Sequence, residues 1–166
     1  MQRDILACMR ARDTYTLRAA TNADQGAVWA LISGVLAEYG ITTDPSTTDA
    51  DLVDLEPNYS GNQGCLFALL DGEKLIGTVA IRRESDFNCE LCRMYLLPQY
   101  RRQGLGRLLL DTAEKEARLR GFTEMHLKTA AVLVEAIKLY QSVGFAKTDR
   151  VPGSKNCSLV MSKLLV

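Results

Sequence analysis

The chain of 166 residues carries 20 Lys plus Arg, 20 Asp plus Glu and 47% hydrophobic residues, the profile of one globular domain around a single core. At this length roughly 70% of the unfolded chain's surface can be buried, so neither a disulfide nor a structural metal is needed and disorder is excluded. Uncharged stretches such as Gln25 to Ala37 fall short of the roughly 20 apolar residues that cross a bilayer. The patch Ile5 to Met9 is too short for a signal-peptide core, so the reading is a cytoplasmic protein that does not enter a membrane.

In chain order, Tyr15 to Ala19 alternates like a strand, and Asn22 is placed to cap a helix running to about Tyr39, with Gly40 as its stop. Gly40 to Thr48 reads as loop and Asp49 to Leu55 as a shorter helix. Cys65 to Leu70 and Leu75 to Ile81 form a hairpin turning at Asp71-Gly72, and Cys89 to Leu97 is a third strand. After Pro98 the period becomes helical, with Leu105, Leu108, Leu109, Ala113 and Ala117 on one face and Gly121 as the end. Glu124 to Thr129 is a strand, and Leu133, Ala136, Ile137 and Tyr140 mark a helix ending at Gly144. Strands near Phe145 to Thr148 and Cys157 to Lys163 complete the chain. A strand–helix–strand crossover from 90 to 129 requires a parallel pair, while the hairpin makes the sheet mixed. No repeat or internal boundary appears.

Five cysteines (8, 65, 89, 92 and 157) form no disulfide framework. Cys89 and Cys92 lie three apart on a strand and point to opposite faces, which argues against a shared metal and for buried, inert thiols. Charge is segregated. From Ala19 to Glu73 there is no Lys or Arg but there are nine acids: Asp24, Glu38, Asp44, Asp49, Asp51, Asp54, Glu56, Asp71 and Glu73. Arg93 to Arg120 holds seven cations against Asp111, Glu114 and Glu116. Either the two stretches face a common cleft, which would attract an anion on one wall and a cation on the other, or both are solvated surface.

The chemistry concentrates at Arg101, Arg102, Gln103, Gly104, Leu105 and Gly106, between a strand end and a helix start. The first N–H groups of a helix lack internal partners and sit at the positive end of its dipole. Gly104 and Gly106 admit a phosphate close to the backbone, and the arginines add charge. No Gly-Lys-Ser/Thr follows, and Leu109 stands where a dinucleotide fingerprint needs its third glycine. By itself the pair of glycines reads either as a diphosphate cradle or as a helix start with two small residues.

The run from Glu90 through Phe145 resembles the GNAT superfamily of acetyl-CoA-dependent N-acetyltransferases, whose signature Arg/Gln-x-x-Gly-x-Gly/Ala is matched by Arg101, Gly104 and Gly106. The preceding strand, Leu91 to Pro98, and the segment Ala136-Ile137-x-Leu139-Tyr140-x-x-x-Gly144-Phe145 are also similar to that family. The close match covers about 55 residues. The resemblance implies an α/β (α+β) fold: a central mixed, mostly antiparallel sheet of six to seven strands flanked by about four helices. It implies one catalytic domain over 15–166, with 1–14 as an N-terminal extension.

It further implies acetyl-CoA as cosubstrate, with no metal. The amides of Arg102, Gln103, Gly104, Leu105, Gly106 and Arg107, together with Arg101 of the motif, would hold the diphosphate, and Leu96 would pair with the pantetheine arm. The Leu96 N–H would also stabilise charge developing on the thioester carbonyl. Tyr140 matches the family's proton donor to the departing thiolate, and a phenol near pKa 10 stays protonated at neutral pH; it also lies on an apolar helix face, where a tyrosine can simply pack. Glu90 falls where some members place the general base, and desolvation there would raise its pKa. A water-facing strand acid is the alternative, with Glu84, Asp86 or a water relay left open. Leu133 replaces an asparagine that many relatives use to bond the pantetheine arm. His126 is expected to be a solvated or capped histidine without a catalytic role.

The implied activity is direct transfer of acetyl to a primary amine on a small molecule, amino acid or peptide. The acidic segment 38–56 would line the amine side. A non-catalytic acyl-CoA-binding module is the alternative, against which Tyr140 argues. Zero net charge and the lack of interleaved aromatics oppose nucleic-acid binding. A homodimer is left open by analogy with relatives.

Overall fold

The computed structural model describes residues 14–166. Nearly all of the expected N-terminal extension (1–14), and Cys8 with it, lies outside the described residues. Seven strands form one sheet: β1 (Tyr15–Ala19), β2 (Gly64–Asp71), β3 (Lys74–Arg83), β4 (Asn88–Leu96), β5 (Glu124–Thr129), β6 (Ala146–Lys147) and β7 (Leu159–Leu164). Their spatial order is β1-β2-β3-β4-β5-β7-β6. β4 and β5 are parallel and the other neighbours antiparallel, as the expected crossover requires. Four α-helices accompany the sheet: α1 (Gln25–Ala37), α2 (Leu55–Tyr59), α3 (Leu105–Leu119) and α4 (Val134–Ser142).

The sheet is apolar on both faces, which explains why β2 is buried along nearly its whole length rather than alternating. Phe67, Val79, Ile81 and Leu91 pack with Leu109, Ala113 and Tyr140 from α3 and α4. On the other face Leu66, Ala80 and Cys92 meet Val28, Ile32 and Leu55 from α1 and α2. Cys89 belongs to the first core and Cys92 to the second, so the two thiols do point apart. Burial pushes Cys65 up to about 11 and Cys89 and Cys92 up to about 12, which keeps all three protonated at neutral pH and chemically quiet.

Four local expectations change. The hairpin turns at Gly72-Glu73 rather than Asp71-Gly72, because Asp71 still pairs with Lys74 and Gly72 takes the left-handed φ of 60°. Asn22 does not cap α1: its Oδ1 accepts the N–H groups of Leu55 and Glu56 and so caps α2 across the fold. The helix expected over Asp49 to Leu55 is a 3₁₀ turn, Ala50–Leu52, followed by α2. Asp54 is extended between them (φ −140°), and Asp49 and Asp51 turn instead toward an arginine on β4. The strands expected at Phe145 to Thr148 and Cys157 to Lys163 are shorter or shifted, at Ala146–Lys147 and Leu159–Leu164.

Gly64 opens β2 at φ 153°, and a Cβ there would lie 2.0 Å from the Ile81 carbonyl oxygen. Gly64→Ala must therefore push β2 from β3. It is expected to cost about 2–4 kcal/mol, in the range of strained or overpacked core positions, read as a lower denaturation midpoint with unchanged m-value.

Candidate active site

β4 is broken in its middle. Arg93 has a φ of 51°, unusual for a side-chain-bearing residue, and the β3/β4 register slips between Thr78 and Ala80. The carbonyl of Arg93 accepts a hydrogen bond from Thr78 Oγ1 at 2.7 Å, which holds this bulge from the neighbouring strand. A bulge bends its strand and increases local twist. Pairing between β4 and β5 ends at Leu91–Leu127, although both strands continue. The wedge so opened holds a cavity of about 160 Å³ lined by Cys92 to Tyr95 on one side and Leu127 to Ala130, Leu133 and Tyr140 on the other.

Two donors are directed at this wedge. Leu97 N–H bonds to Ile76 O at 2.9 Å, so by strand alternation the N–H of Leu96 points away from β3, toward the side β5 has vacated. Tyr140 is 7% exposed and packs edge-on against Phe145 with centroids 5.9 Å apart. Its hydroxyl bonds to no group among the described residues while its side chain lines the cavity. Burial raises its pKa further above the ordinary phenol value, so it stays protonated well into the alkaline range.

At the outer end of β4, a 3₁₀ turn (Pro98–Tyr100) leads into α3. Arg102 (φ 60°) and Gly104 (φ 79°) both take left-handed backbone. The bend turns successive amides outward: among the described residues, those of Arg102 through Arg107 donate to no protein acceptor, and the first cap bond runs from Leu108 N–H to Gly104 O. A Cβ on Gly106 would come within 3.3 Å of Leu139, which explains the small residue. Such a row of unpaired N–H groups at a helix start suits an anion such as a diphosphate.

The expected site residues divide accordingly. Gly104, Leu105, Gly106, Arg107, Arg102 and Gln103 contribute backbone to the cradle, and Arg102 makes no ion pair among the described residues. Arg101 is turned away. Its guanidinium grips Glu38 at 2.9 and 3.1 Å and donates to Leu96 O at 3.1 Å, tying α1 to the end of β4, while its N–H bonds to Pro98 O. Glu90 is buried but not alone: Arg82 lies 2.9 Å and Lys128 3.9 Å from its carboxylate. Asp86 is exposed beside Arg83. His126 is neither solvated nor conventionally capped. It is 1% exposed, because its strand face is covered, and its Nε2 lies 2.8 Å from Glu84 Oε1 but off the ring N–H direction, without an aligned hydrogen bond.

A second opening of about 460 Å³ adjoins the first, sharing Leu91 to Arg93, Tyr95 and Lys128 with it and adding Glu90, Arg82, Tyr59 and Lys155. A wedge in mid-sheet thus opens into a polar, ionisable chamber, while the row of unpaired amides lies at the end of the same strand.

The family model described as the acetyltransferase (GNAT) family matches residues 28–145. The chain belongs to the GNAT acetyltransferase family. Membership makes it an acyltransferase. The Escherichia coli protein YjgM, described as an uncharacterized N-acetyltransferase, is 38% identical over 150 residues, covering 86% of this chain and 89% of that protein. Human N-acetyltransferase 8 is 30% identical over 130 residues, 75% of this chain but 56% of the human protein. Among solved structures, an acetyltransferase from Streptococcus agalactiae superposes with a TM-score of 0.85 at 22% identity over 92% of this chain and 99% of that one. An acetyltransferase from Salmonella typhimurium, solved with acetyl-CoA, gives 0.72 at 24% identity, covering 93% and 95%. These structures share the GNAT fold.

Within this GNAT domain one cluster carries no sequence signature. Arg93 reaches Asp49 Oδ1 at 2.7 Å and Thr48 O at 2.9 Å, and it pairs with both oxygens of Asp51; the Tyr59 hydroxyl also donates to Asp51. Burial opposes ionisation of Asp49, but the Asp44 amide and the Arg93 guanidinium outweigh it and hold the carboxyl below the usual range. The acids expected to face an amine are largely committed to internal partners. Of segment 38–56, expected on the amine side, Asp49 borders the cavity, but as an ion-paired group rather than a free charge.

Replacing Arg93 by Met would strand two carboxylates whose side chains are 6% and 9% exposed. A loss of about 3–5 kcal/mol is expected, as for other buried pairs broken on one side, measured by urea denaturation at pH 7. The difference from wild type should shrink as the pH falls through the lowered pKa of Asp49, because protonated carboxyls no longer require the arginine.

Proposed function

We propose that this GNAT domain transfers the acetyl group of acetyl-CoA to a primary amine by direct attack, with both substrates bound together. The observation that carries the reading is the row of unpaired amides from Arg102 to Arg107 at the end of β4, the strand whose residues Cys92 to Tyr95 line the wedge with Tyr140, and whose Cys92, Arg93 and Tyr95 also border the chamber beside Glu90. Acetyl-CoA, as substrate, supplies an activated thioester. The cradle amides hold its diphosphate, with Arg102 as the nearby cation, while Arg101 serves as a brace for the strand end. The Leu96 N–H donates to the carbonyl oxygen as negative charge develops there.

Glu90 takes a proton from the acceptor ammonium, which frees the nitrogen lone pair for attack. The Tyr140 hydroxyl donates its proton to the sulfur as the carbon–sulfur bond breaks, and the second proton that the nitrogen sheds as the amide forms restores the phenol. A thiol near pKa 8.5 leaves more readily when protonated in this way. Leu133 offers no polar contact to the pantetheine arm, so binding rests on backbone groups. The acceptor is a small amine, an amino acid or a peptide entering from the chamber that contains Glu90, Arg82 and Lys128. The whole operates in one domain over residues 15–166.

Release of free thiol from acetyl-CoA over a panel of amines, amino acids and peptides tests the activity. Tyr140→Phe is expected to lower kcat at least about tenfold with the acetyl-CoA Kd unchanged. Tight binding without turnover of any acceptor would favour the non-catalytic module instead. Gly104→Val forces a β-branched residue into left-handed backbone, and calorimetry should find coenzyme A affinity reduced about tenfold, a loss of about 1.4 kcal/mol. Wild-type affinity in that variant would sink the cradle assignment.

A further inference from the structure

Behind Glu90 lies a buried side chain that the proposed transfer leaves unused. His126 is Glu90's register partner across the parallel β4/β5 pair, so the two side chains share one face of the sheet. The donor and acceptor atoms of Glu84, Glu90 and His126 all lie within 4.8 Å of one another. Glu90 borders the larger chamber, His126 is 1% exposed, and the Glu84 side chain is 33% exposed at the β3–β4 hairpin. The three span the distance from the acceptor chamber to solvent.

The contact between His126 Nε2 and Glu84 requires a proton. A bare ring nitrogen and a carboxylate oxygen at 2.8 Å would set two lone pairs against each other. The nitrogen is also left without an aligned partner, a costly arrangement for a buried polar group unless it has a use. A divalent cation is a poor occupant, since Arg82, Lys128 and Arg150 already face these two carboxylates at 2.9, 3.9 and 3.8 Å.

We infer that His126 and Glu84 form a proton exit behind Glu90, passing to solvent the proton that Glu90 takes from the acceptor ammonium. The inference rests on the reading of Glu90 as base. In the first step the ammonium N–H breaks and Glu90 becomes a neutral carboxylic acid. Glu90 then yields that proton to the neutral imidazole of His126, directly or over a gap that one water molecule spans, and returns to carboxylate. The imidazolium releases a proton to Glu84, whose exposed side gives it to bulk water. No electron moves, and the three groups end as they began.

Burial lowers the pKa of His126, and Glu84 and Glu90 act against that shift while Arg150 and Lys128 add to it. The ring is thus neutral and ready to accept a proton at neutral pH. The facing groups are Glu84 from the hairpin, Glu90 and Arg82 from β4 and β3, Lys128 from its own strand and Arg150 from the β6–β7 loop. β7 places the non-titrating Ser162 opposite. His126 touches no substrate and acts through Glu90.

The sequence holds one histidine, so ring NMR of untagged protein reports this group alone. Its midpoint is expected below about 6.5, and lower still in Glu90→Gln, where a neighbouring negative charge is lost. Glu84→Gln alters a partly exposed side chain and avoids the folding risk of His126→Gln. Both should lower kcat about tenfold, leave the KM for acetyl-CoA unchanged and displace the acid limb of the kcat/KM profile. A ring titration indifferent to Glu90→Gln while that variant is inactive would overturn the exit alone. Wild-type turnover in Glu90→Gln would remove the base assignment and the exit with it. Wild-type rates and an unshifted pH profile in Glu84→Gln would also overturn the exit.

Discussion

The bulge at Arg93 sets the geometry of everything around it. A continuous β4 would pair with β5 to its end and leave no wedge in the sheet. Positive φ at a residue bearing a long side chain is unfavourable, and the surroundings supply compensation on both sides of the backbone. Thr78 Oγ1 fixes the carbonyl, and two aspartates from the loop before α2 fix the guanidinium. The same ion pairs anchor that loop against the cavity wall. Bend, wedge and loop placement therefore depend on one side chain, which none of the catalytic proposals uses chemically.

This interaction also explains the uneven charge along the chain. The acid-only segment from 19 to 73 meets arginines from outside it across the fold: Asp24 with Arg18, Glu38 with Arg101, and Asp49 and Asp51 with Arg93. The pairs differ in worth. Arg18–Asp24 has its arginine about half in solvent, and surface pairs of this kind contribute little. Arg93 with its two aspartates is nearly dry, so its main effect is to make any alternative packing of the loop expensive. Segregated charge here works as a specification of which parts of the fold touch, rather than as a field aimed at a ligand.

What the sequence made legible follows from the range of the forces involved. Strands β1 and β5, helix α3 and the parallel crossover are visible because their patterns are local: alternation, a 3.6-residue period, a glycine stop. The cradle is legible for the same reason, since six consecutive residues build it from their own backbone. Apart from the one-residue shift of the hairpin turn and the bounds of the last two strands, the failures are non-local. Asn22 looks like a cap for the helix that follows it, yet it caps α2, 33 residues away. Asp49 to Leu55 has helical composition, but Asp49 and Asp51 are drawn to an arginine more than 40 residues on. Arg101 belongs to the motif, yet its side chain serves a distant glutamate. His126 alternates with Met125 and Leu127 onto what reads as a wet strand face, and no local pattern shows that the hairpin at Glu84 and the loop at Arg150 will cover it.

The same distinction separates the two halves of the site. In the proposed site, backbone amides contribute the cradle and the Leu96 donor, so the chemistry would require only that particular φ values be accessible, and a short glycine-bearing signature records that requirement. The chamber proposed for the acceptor is lined by side chains of five separate segments: Tyr59, Arg82, Glu90, Lys128 and Lys155. Lys128 and Lys155 can change without disturbing the bulge and its ion pairs, whereas Tyr59 shares Asp51 with Arg93 and Arg82 pairs with the buried Glu90. On the proposed function, a fold arranged this way can keep its acyl donor while its acceptor changes, and the residues proposed to meet the acceptor are those with no motif to announce them.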